Sequence, residues 1–283
     1  MIKLKQAVIV ILTFLLLIIT MLLVDGTFFA PNRLRAKETF IQDSSIPKTR
    51  NGFKIVYFSD VHYNLFVDQQ RFEKVVSTIN SVNPDVVLFG GDLIDNLSSN
   101  PLNTTNQDAL VNLLKTIKAP SGKFYVSGQF ESDSDYARTL SDKLLQRAEF
   151  ESVNDKSLKL YFGDSYINFI GIDYVFDSLK LEQAINKLDP AAYTLAISHK
   201  PSAIKTLDSS KINLMIAGFT HGGQINFPGF KEVFFQNQSY NEETQLVGST
   251  QLDISNGVGT SELDFRLFAD PQINVYILNS NKR

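Results

Sequence analysis

The sequence predicts an α/β fold in which two sheets pack face to face with helices outside. Three observations carry this expectation. Short apolar runs rich in β-branched and aromatic residues, such as Phe53-Lys54-Ile55-Val56-Tyr57-Phe58 and Asp85-Val86-Val87-Leu88-Phe89, have the composition of strands buried on both faces. Segments of helical spacing stand between them, giving a βαβαβ series. The chain has only three histidines, His62, His199 and His221, and each follows such a run. In an α/β sheet the C-terminal strand ends open onto the crevice where ligands bind, so imidazoles at three of these ends point to one shared site.

Each element follows in order. Phe53 to Phe58 runs into Ser59-Asp60-Val61-His62, a carboxylate and an imidazole that one ion could share if strand geometry persists. Phe72, Val75, Val76 and Ile79 are spaced as a helix over 68–82, which Asn83-Pro84 ends. The strand 85–89 leads into Gly90-Gly91-Asp92, where glycines allow a sharp turn and close approach to a ligand. A helix over 107–117 stops at Ala119-Pro120-Ser121-Gly122, and a strand over 123–126 leads into Gly128-Gln129-Phe130-Glu131. A helix over 135–148, strands over 158–162 and 166–172, and a helix over 179–188 come next. Strand 193–198 delivers His199, and strand 212–217 delivers Gly218-Phe219-Thr220-His221-Gly222-Gly223-Gln224. The remainder is β-rich, with strands expected over 233–235, 245–248, 252–254, 265–268 and 273–278.

The amino terminus has a different character. From Ala7 to Val24 every residue is apolar except Thr13 and Thr20, with Lys3 and Lys5 before the run and Asp25 after it. Eighteen residues at helical rise span about 27 Å, close to a bilayer's hydrocarbon core. A cleaved signal peptide would need a small-x-small site, which Phe28-Phe29-Ala30 does not supply. The expectation is an uncleaved single-pass anchor, with the lysines holding the N-terminus in the cytoplasm and the rest of the chain outside. The predicted division is therefore 1–26 as cytoplasmic stub and transmembrane anchor, 27–51 as a polar tether without sustained periodicity, and 52–283 as the functional domain.

Composition sets limits. The chain has 283 residues, is 43% apolar and 20% charged, and is long enough for one large α/β domain or for two smaller ones. Its net charge of -3 gives no electrostatic reason for a nucleic-acid partner. With no cysteine, disulfides and thiolate chemistry are excluded.

Taken in order, Asp60-Val61-His62, Gly90-Gly91-Asp92, Gly128-Gln129-Phe130-Glu131, His199 and the 218–224 segment resemble the calcineurin-like metallophosphoesterases. Gly257-Val258-Gly259 and Arg266-Leu267-Phe268 are further similar to the membrane-anchored bacterial phosphodiesterase branch. The resemblance runs from about Lys54 to Leu278. It implies a four-layer αββα sandwich and a site for two divalent ions, commonly Mn, Fe or Zn, that clamp phosphate oxygens and activate a bridging water. Mapped residue by residue, it implies Asp60, His62, Asp92 and His221 as ligands of a first metal position, with Asp92 bridging to a second.

The second position is depleted. The resemblance places there Gln129 where the family has asparagine, His199, and Phe219 where it has a histidine. A glutamine carbonyl can ligate, but its extra methylene displaces the oxygen by about 1.5 Å, and Phe219 has no lone pair. The family histidine assigned to transition-state stabilisation or leaving-group protonation corresponds to Phe130, so no catalytic acid is identified.

Three functions remain open from these residues. One is a phosphoesterase with one ion held well and a second doubtful, hydrolysing a phosphate mono- or diester. Another is a relative that binds metal and a phosphorylated or lipid ligand without efficient turnover, and the third an anchored scaffold. The expected partners are the membrane and a phosphorylated small molecule or lipid-linked substrate, with no nucleic acid.

Overall fold

Alternation along a few strands sets the layers. The computed structural model describes residues 2–48, 51–95, 97, 101–227, 240 and 242–281. Strands β2 (Phe53–Phe58), β3 (Val86–Phe89) and β12 (Gln272–Ser280) are buried on both faces over most of their length. Phe53, Ile55, Tyr57, Val86, Leu88, Tyr276 and Leu278 enter one apolar cluster, whereas Val56, Phe58, Val87, Phe89, Val275 and Ile277 enter another. A period of two with apolar residues on both faces requires cover on both sides.

The first cluster lies between two sheets. The described residues form a six-stranded sheet of order β1 (Arg35–Asp43), β12, β2, β3, β4 (Lys123–Tyr125), β5 (Glu151–Ser152) and a second of order β10 (Thr244–Val247), β11 (Thr250–Ile254), β9 (Leu214–Ala217), β8 (Thr194–Ser198), β7 (Ser165–Ile172), β6 (Lys156–Phe162). In the second sheet, Leu195 and Ile197 of β8 and Leu214 and Ile216 of β9 meet the first sheet's inner face. The outer face of the first sheet is covered by α2 (Gln69–Ser81), α3 (Thr104–Lys115) and α5 (Asp135–Arg147), through Phe72, Val75, Leu110, Leu114, Leu140 and Leu144. The outer face of the second takes Leu181 and Ala184 of α6 (Ser178–Asn186) and Ile204 of a 3₁₀ turn. The expected αββα sandwich is thus present.

Helix starts follow capping chemistry. The carboxylates of Asp68 and Asp177, the Asn103 amide oxygen and the Ser134 hydroxyl each accept from a first-turn amide of α2, α6, α3 and α5 respectively. Asn103 moves the start of α3 three residues ahead of the periodic segment, because the cap and not the apolar stripe sets the first turn.

Two expectations are corrected. The polar stretch 27–51 is no irregular tether: Arg35–Asp43 is strand β1, paired in parallel with β12 from Arg35↔Gln272 to Asp43↔Ser280. It is an edge strand, and Ile41 alone among its nine residues is buried. Backbone pairing and the ion pairs Arg35–Asp270 (2.6 Å) and Lys37–Glu243 (2.6 Å) hold it, so it carries no apolar pattern to read. Residues 265–268 form no strand; Leu267 makes an isolated bridge with Ile225. The strand expected over 233–235 lies outside the described residues.

Helix α1 (Ile2–Val24) is unlike the others, since no residue of its most apolar stretch is buried. Thr13 and Thr20, the polar exceptions, donate their hydroxyls to Ile9 O (2.9 Å) and Leu16 O (2.8 Å). The helix therefore presents no unpaired hydroxyl to an apolar surrounding. It continues through a π turn (Asp25–Phe29) and a 3₁₀ turn (Ala30–Asn32) into the domain.

Candidate metal centre

The parallel strands β2, β3, β4, β8 and β9 end at one rim, and the predicted ligands emerge there. Strand geometry does not carry Asp60 and His62 to the site. Pairing stops at Phe58, and Asp60 (φ 54°), His62 (φ 49°), Asp92 (φ 59°), Phe219 (φ 73°) and His221 (φ 53°) all adopt the left-handed region. For residues with a Cβ this conformation is uncommon, of order 1–3 kcal/mol each, and it gathers at functional sites. Backbone bonds between loops sustain it. Asp60 N–H donates to Gly91 O (2.9 Å), Val61 and His62 N–H to Asp92 O (2.8 and 3.1 Å), and Gly259 N–H to Asp60 O (2.8 Å).

Two glycines are required by close approach. A methyl group on Gly218 would meet the Ser59 hydroxyl and the Asp60 carboxylate, and one on Gly128 would meet Asp92. Both loops therefore lie directly against the carboxylates.

Two sets of donors converge. Asp60, His62 and His221 offer one ligand atom each within 4.8 Å of one another, and so do Asp60, Asp92 and His199. His62 Nε2 lies 3.2 Å from His221 Nε2, and His221 Nε2 lies 3.7 Å from Asp60 Oδ1. His199 Nε2 is 3.1 Å from Asp92 Oδ2 and 3.9 Å from Asp60 Oδ1. Asp60, His62 and His199 are fully buried, and Asp92 and His221 nearly so.

Asp60 belongs to both sets, and Asp92, which the resemblance implies as the bridge, belongs to the set with His199. Asp92 Oδ1 accepts from Phe130 N–H (2.9 Å), which leaves Oδ2 toward His199. Asp60 accepts from Phe219 N–H (3.0 Å) and from the Ser59 hydroxyl (2.5 Å), and stands between both imidazole groups. Gln129 opens the short helix α4 (Gln129–Ser132), directly before Phe130.

Neighbouring groups fix the imidazole tautomers. His199 Nδ1 lies 2.8 Å from Gly90 O, and because a carbonyl only accepts, Nδ1 carries a proton, which leaves Nε2, facing Asp92, as the nitrogen that would bind an ion on giving up its own proton. His62 Nδ1 lies 3.2 Å from Asp95 Oδ2, which likewise leaves its Nε2 for an ion. Ring nitrogens bound at about 2.0–2.1 Å to one ion stand about 2.8–3.0 Å apart at octahedral and about 3.3–3.4 Å at tetrahedral angles, so the His62–His221 separation of 3.2 Å falls within the span for a common cation.

The electrostatics agree. Burial raises the Asp92 pKa, but the His199 and His62 imidazoles and the Phe130 amide outweigh it and bring the carboxyl down to about 2. Burial works against a charged His199, yet Asp92 and Asp60 lift it to about 9. Burial pushes the Asp60 carboxyl up against the pull of His199, and with His62 and Arg266 it drives His221 well below the usual imidazole range. The carboxylates draw positive charge into the cavity while His221 is kept as a neutral donor. The donor set is oxygen and nitrogen only, which suits Mn, Fe or Zn better than Mg or Ca.

Three supporting residues were not assigned roles from sequence. Glu131, buried, accepts from the amides of Asp92 (2.8 Å), Leu93 (2.8 Å) and Gly128 (2.7 Å), and so holds the turn that carries Asp92. Asp95 orients His62. The fully buried Arg266 donates to His221 O (3.0 Å), Ala269 O (2.7 Å), Asn256 O (2.8 Å) and Gly259 O (2.5 Å). The signal for Glu131 was available: an acid three residues into a turn after glycine can cap that turn. Arg266 was marked only as part of the Arg266-Leu267-Phe268 stretch, without a role, and nothing local marks Asp95.

Aromatic rings fill the remaining side. Phe130 sets its ring edge-on to His62 (5.3 Å between centroids), and Phe219 does the same to His199 (5.5 Å). Tyr174 also packs against His199 (5.9 Å), and the Lys200 ammonium lies 4.3 Å from the Tyr174 ring centre and 6.0 Å from that of Phe219.

The calcineurin-like phosphoesterase family model matches residues 53–244. Metallophosphoesterase YkuE of Bacillus subtilis is 30% identical, over 89% of this chain and 88% of its own. A transmembrane protein with metallophosphoesterase domain from Danio rerio is 25% identical over 94% of this chain and 62% of its own. A dimetal phosphatase from Danio rerio superposes with a TM-score of 0.42 and 13% identity, covering 74% of this chain and 88% of that one. By the extent of the family match and its likeness to the Bacillus protein, the chain belongs to the calcineurin-like phosphoesterase family, whose members are metal-dependent.

Proposed function

We propose that this chain is a membrane-anchored phosphoesterase that hydrolyses a phosphate mono- or diester with divalent metal, Mn, Fe or Zn, at the β-strand rim. The observation that most supports this reading is the convergence of Asp60, His62, Asp92, His199 and His221, buried and with imidazole tautomers set by neighbours. Asp60, His62 and His221 would hold the stronger ion, and Asp60, Asp92 and His199 a weaker one. Bound there, divalent cations act as Lewis acids toward phosphate oxygens and lower the pKa of a bound water.

The chain's own residues do the rest. Asp95 and Gly90 O orient His62 and His199, and the Phe219 amide steadies Asp60. Lys200, stacked on Tyr174 beside His199, is placed to meet a phosphate oxygen on the side where Phe219 offers no ligand. The Phe130 ring cannot protonate a departing alkoxide, so turnover should depend steeply on leaving-group pKa. The apolar α1, with Lys3 and Lys5 ahead of it, supports a single-pass anchor with its N-terminus in the cytoplasm and the domain outside.

The test uses the full chain purified in detergent. Elemental analysis is expected to find transition metal, and Mn-dependent hydrolysis of a bis-aryl phosphodiester is expected to vanish in Asp60→Asn. A chain that binds no metal under these conditions would end the proposal. The edge-on rings of Phe130 and Phe219 favour a second reading, binding of a phosphorylated or lipid ligand without efficient turnover. Under it the wild type binds metal but releases no product, and the triple variant Gln129→Asn, Phe130→His, Phe219→His gains hydrolysis.

A further inference from the structure

The site and the anchor share structural parts. The end of α1 is seated on the loop that carries Arg266: Arg266 N–H donates to Gly26 O (3.0 Å), and Gly26 is buried so closely that a methyl group there would strike the Phe265 ring. The Arg71 guanidinium clamps the same junction, donating to Pro31 O (2.6 Å) and Asp264 Oδ1 (2.9 Å). One arginine side chain then separates this junction from the metal site, since Arg266 also donates to His221 O (3.0 Å). A membrane helix attached in this way cannot turn independently of the rim.

The same loops expose large apolar side chains. After His221, Gln224 donates to Ser261 O (3.2 Å) and Leu263 O (2.8 Å), and Leu267 N–H donates to Gln224 O (2.7 Å). On this paired rim Leu263 is 58% exposed, Phe268 53% and Phe227 37%, with the last two rings in edge contact at 5.5 Å. Phe28 and Phe29, at the end of the helix, are 67% and 60% exposed. Exposed Phe and Leu side chains beside an apolar helix have the character of the apolar face that interfacial segments bury at the headgroup–acyl boundary.

We infer that the rim of the metal site and the end of α1 form one face that rests on the membrane, with Phe268, Phe227 and Leu263 in the headgroup region of the bilayer that α1 enters. The inference rests on the anchoring reading above and adds to it a fixed orientation. The metal site then opens toward phosphoesters presented at headgroup level, whose apolar part remains in the lipid.

The chain contains no tryptophan, so a single introduced indole reports its own surroundings. The full chain is reconstituted in phosphatidylcholine vesicles as three variants: Leu15→Trp in the anchor, Phe268→Trp on the rim, and Tyr161→Trp, exposed on β6 of the second sheet. Emission is compared with and without phosphatidylcholine brominated near the top of its acyl chains for the rim and β6 positions, and brominated near the chain ends for Leu15→Trp, which lies at the middle of the span. The expected result is quenching on the order of twofold at Phe268→Trp, strong quenching at Leu15→Trp and none at Tyr161→Trp, as for a side chain held within the interfacial layer. Should Phe268→Trp perturb the rim, Leu263→Trp provides the same reading from an adjacent exposed position. Quenching at Leu15→Trp with none at Phe268→Trp or Leu263→Trp overturns the inference and leaves the anchor standing. No quenching at Leu15→Trp overturns both. Equal quenching at Tyr161→Trp and Phe268→Trp also overturns it, because lipid contact would then have no orientation.

Discussion

Glu131 stands in neither donor group, yet its carboxylate satisfies three buried amides in the turn that presents Asp92. Each buried amide left without an acceptor costs about 1–3 kcal/mol, so Glu131→Ala should destabilise the chain by about 3 kcal/mol or more and lower metal content, read from urea unfolding and elemental analysis. Asp95→Asn tests a narrower role. It keeps the shape but weakens the hold on His62 Nδ1, and loss of such a partner typically costs 10–100-fold in metal affinity; competition with a fluorescent chelator measures it, with little change expected in the unfolding midpoint. Lys200→Ala should raise KM for a phosphodiester about tenfold or less while metal content stays at the wild-type level, the pattern for loss of one charge contact to substrate. At this scale the sequence was informative where residue type dictates chemistry. Asp60, His62, Asp92, His199 and His221 carry oxygen and nitrogen donors, and the structure gathers them at the ends of apolar strands. Asp95 was illegible because a single aspartate in a loop acquires its meaning from the imidazole it faces.

The short elements around the site depend on each other. Arg266 is fully buried among backbone carbonyls of three segments, 221, 256–259 and 269, and its planar fork reaches all of them at once. Arg266→Lys retains the charge but not the fork, leaving carbonyls and the ammonium poorly paired; a loss of about 2–4 kcal/mol in stability is expected by calorimetry, consistent with a broken buried network. The strands that build the core were legible because alternation with apolar residues on both faces has one sheet-forming solution. Edge strand β1 was not, because its ladder uses main-chain groups that every sequence has. Nor were the left-handed conformations of Asp60, His62, Asp92 and His221, which local preference opposes and the surrounding loop bonds impose.

The molecule as a whole joins an apolar helix, an edge strand and a layered sandwich, and truncation separates their contributions. A chain beginning at residue 34 keeps β1 over the edge of β12, whereas one beginning at residue 52 uncovers that edge. An exposed, largely apolar β12 is a template for association. The longer form is therefore expected to remain monomeric by light scattering, and the shorter to aggregate. By itself the sequence determined the α/β layering, the apolar helix and the ligand types, because burial on both faces, unbroken apolar length and side-chain chemistry are properties of local stretches. Only the tertiary structure decided that Asp60 stands in both donor groups, that 35–43 belongs to the sheet, and that the end of the apolar helix abuts the His221 loop through Arg266. Those three depend on distances between residues as far as 240 positions apart, as Gly26 and Arg266 are (266 minus 26), and folding alone sets such distances.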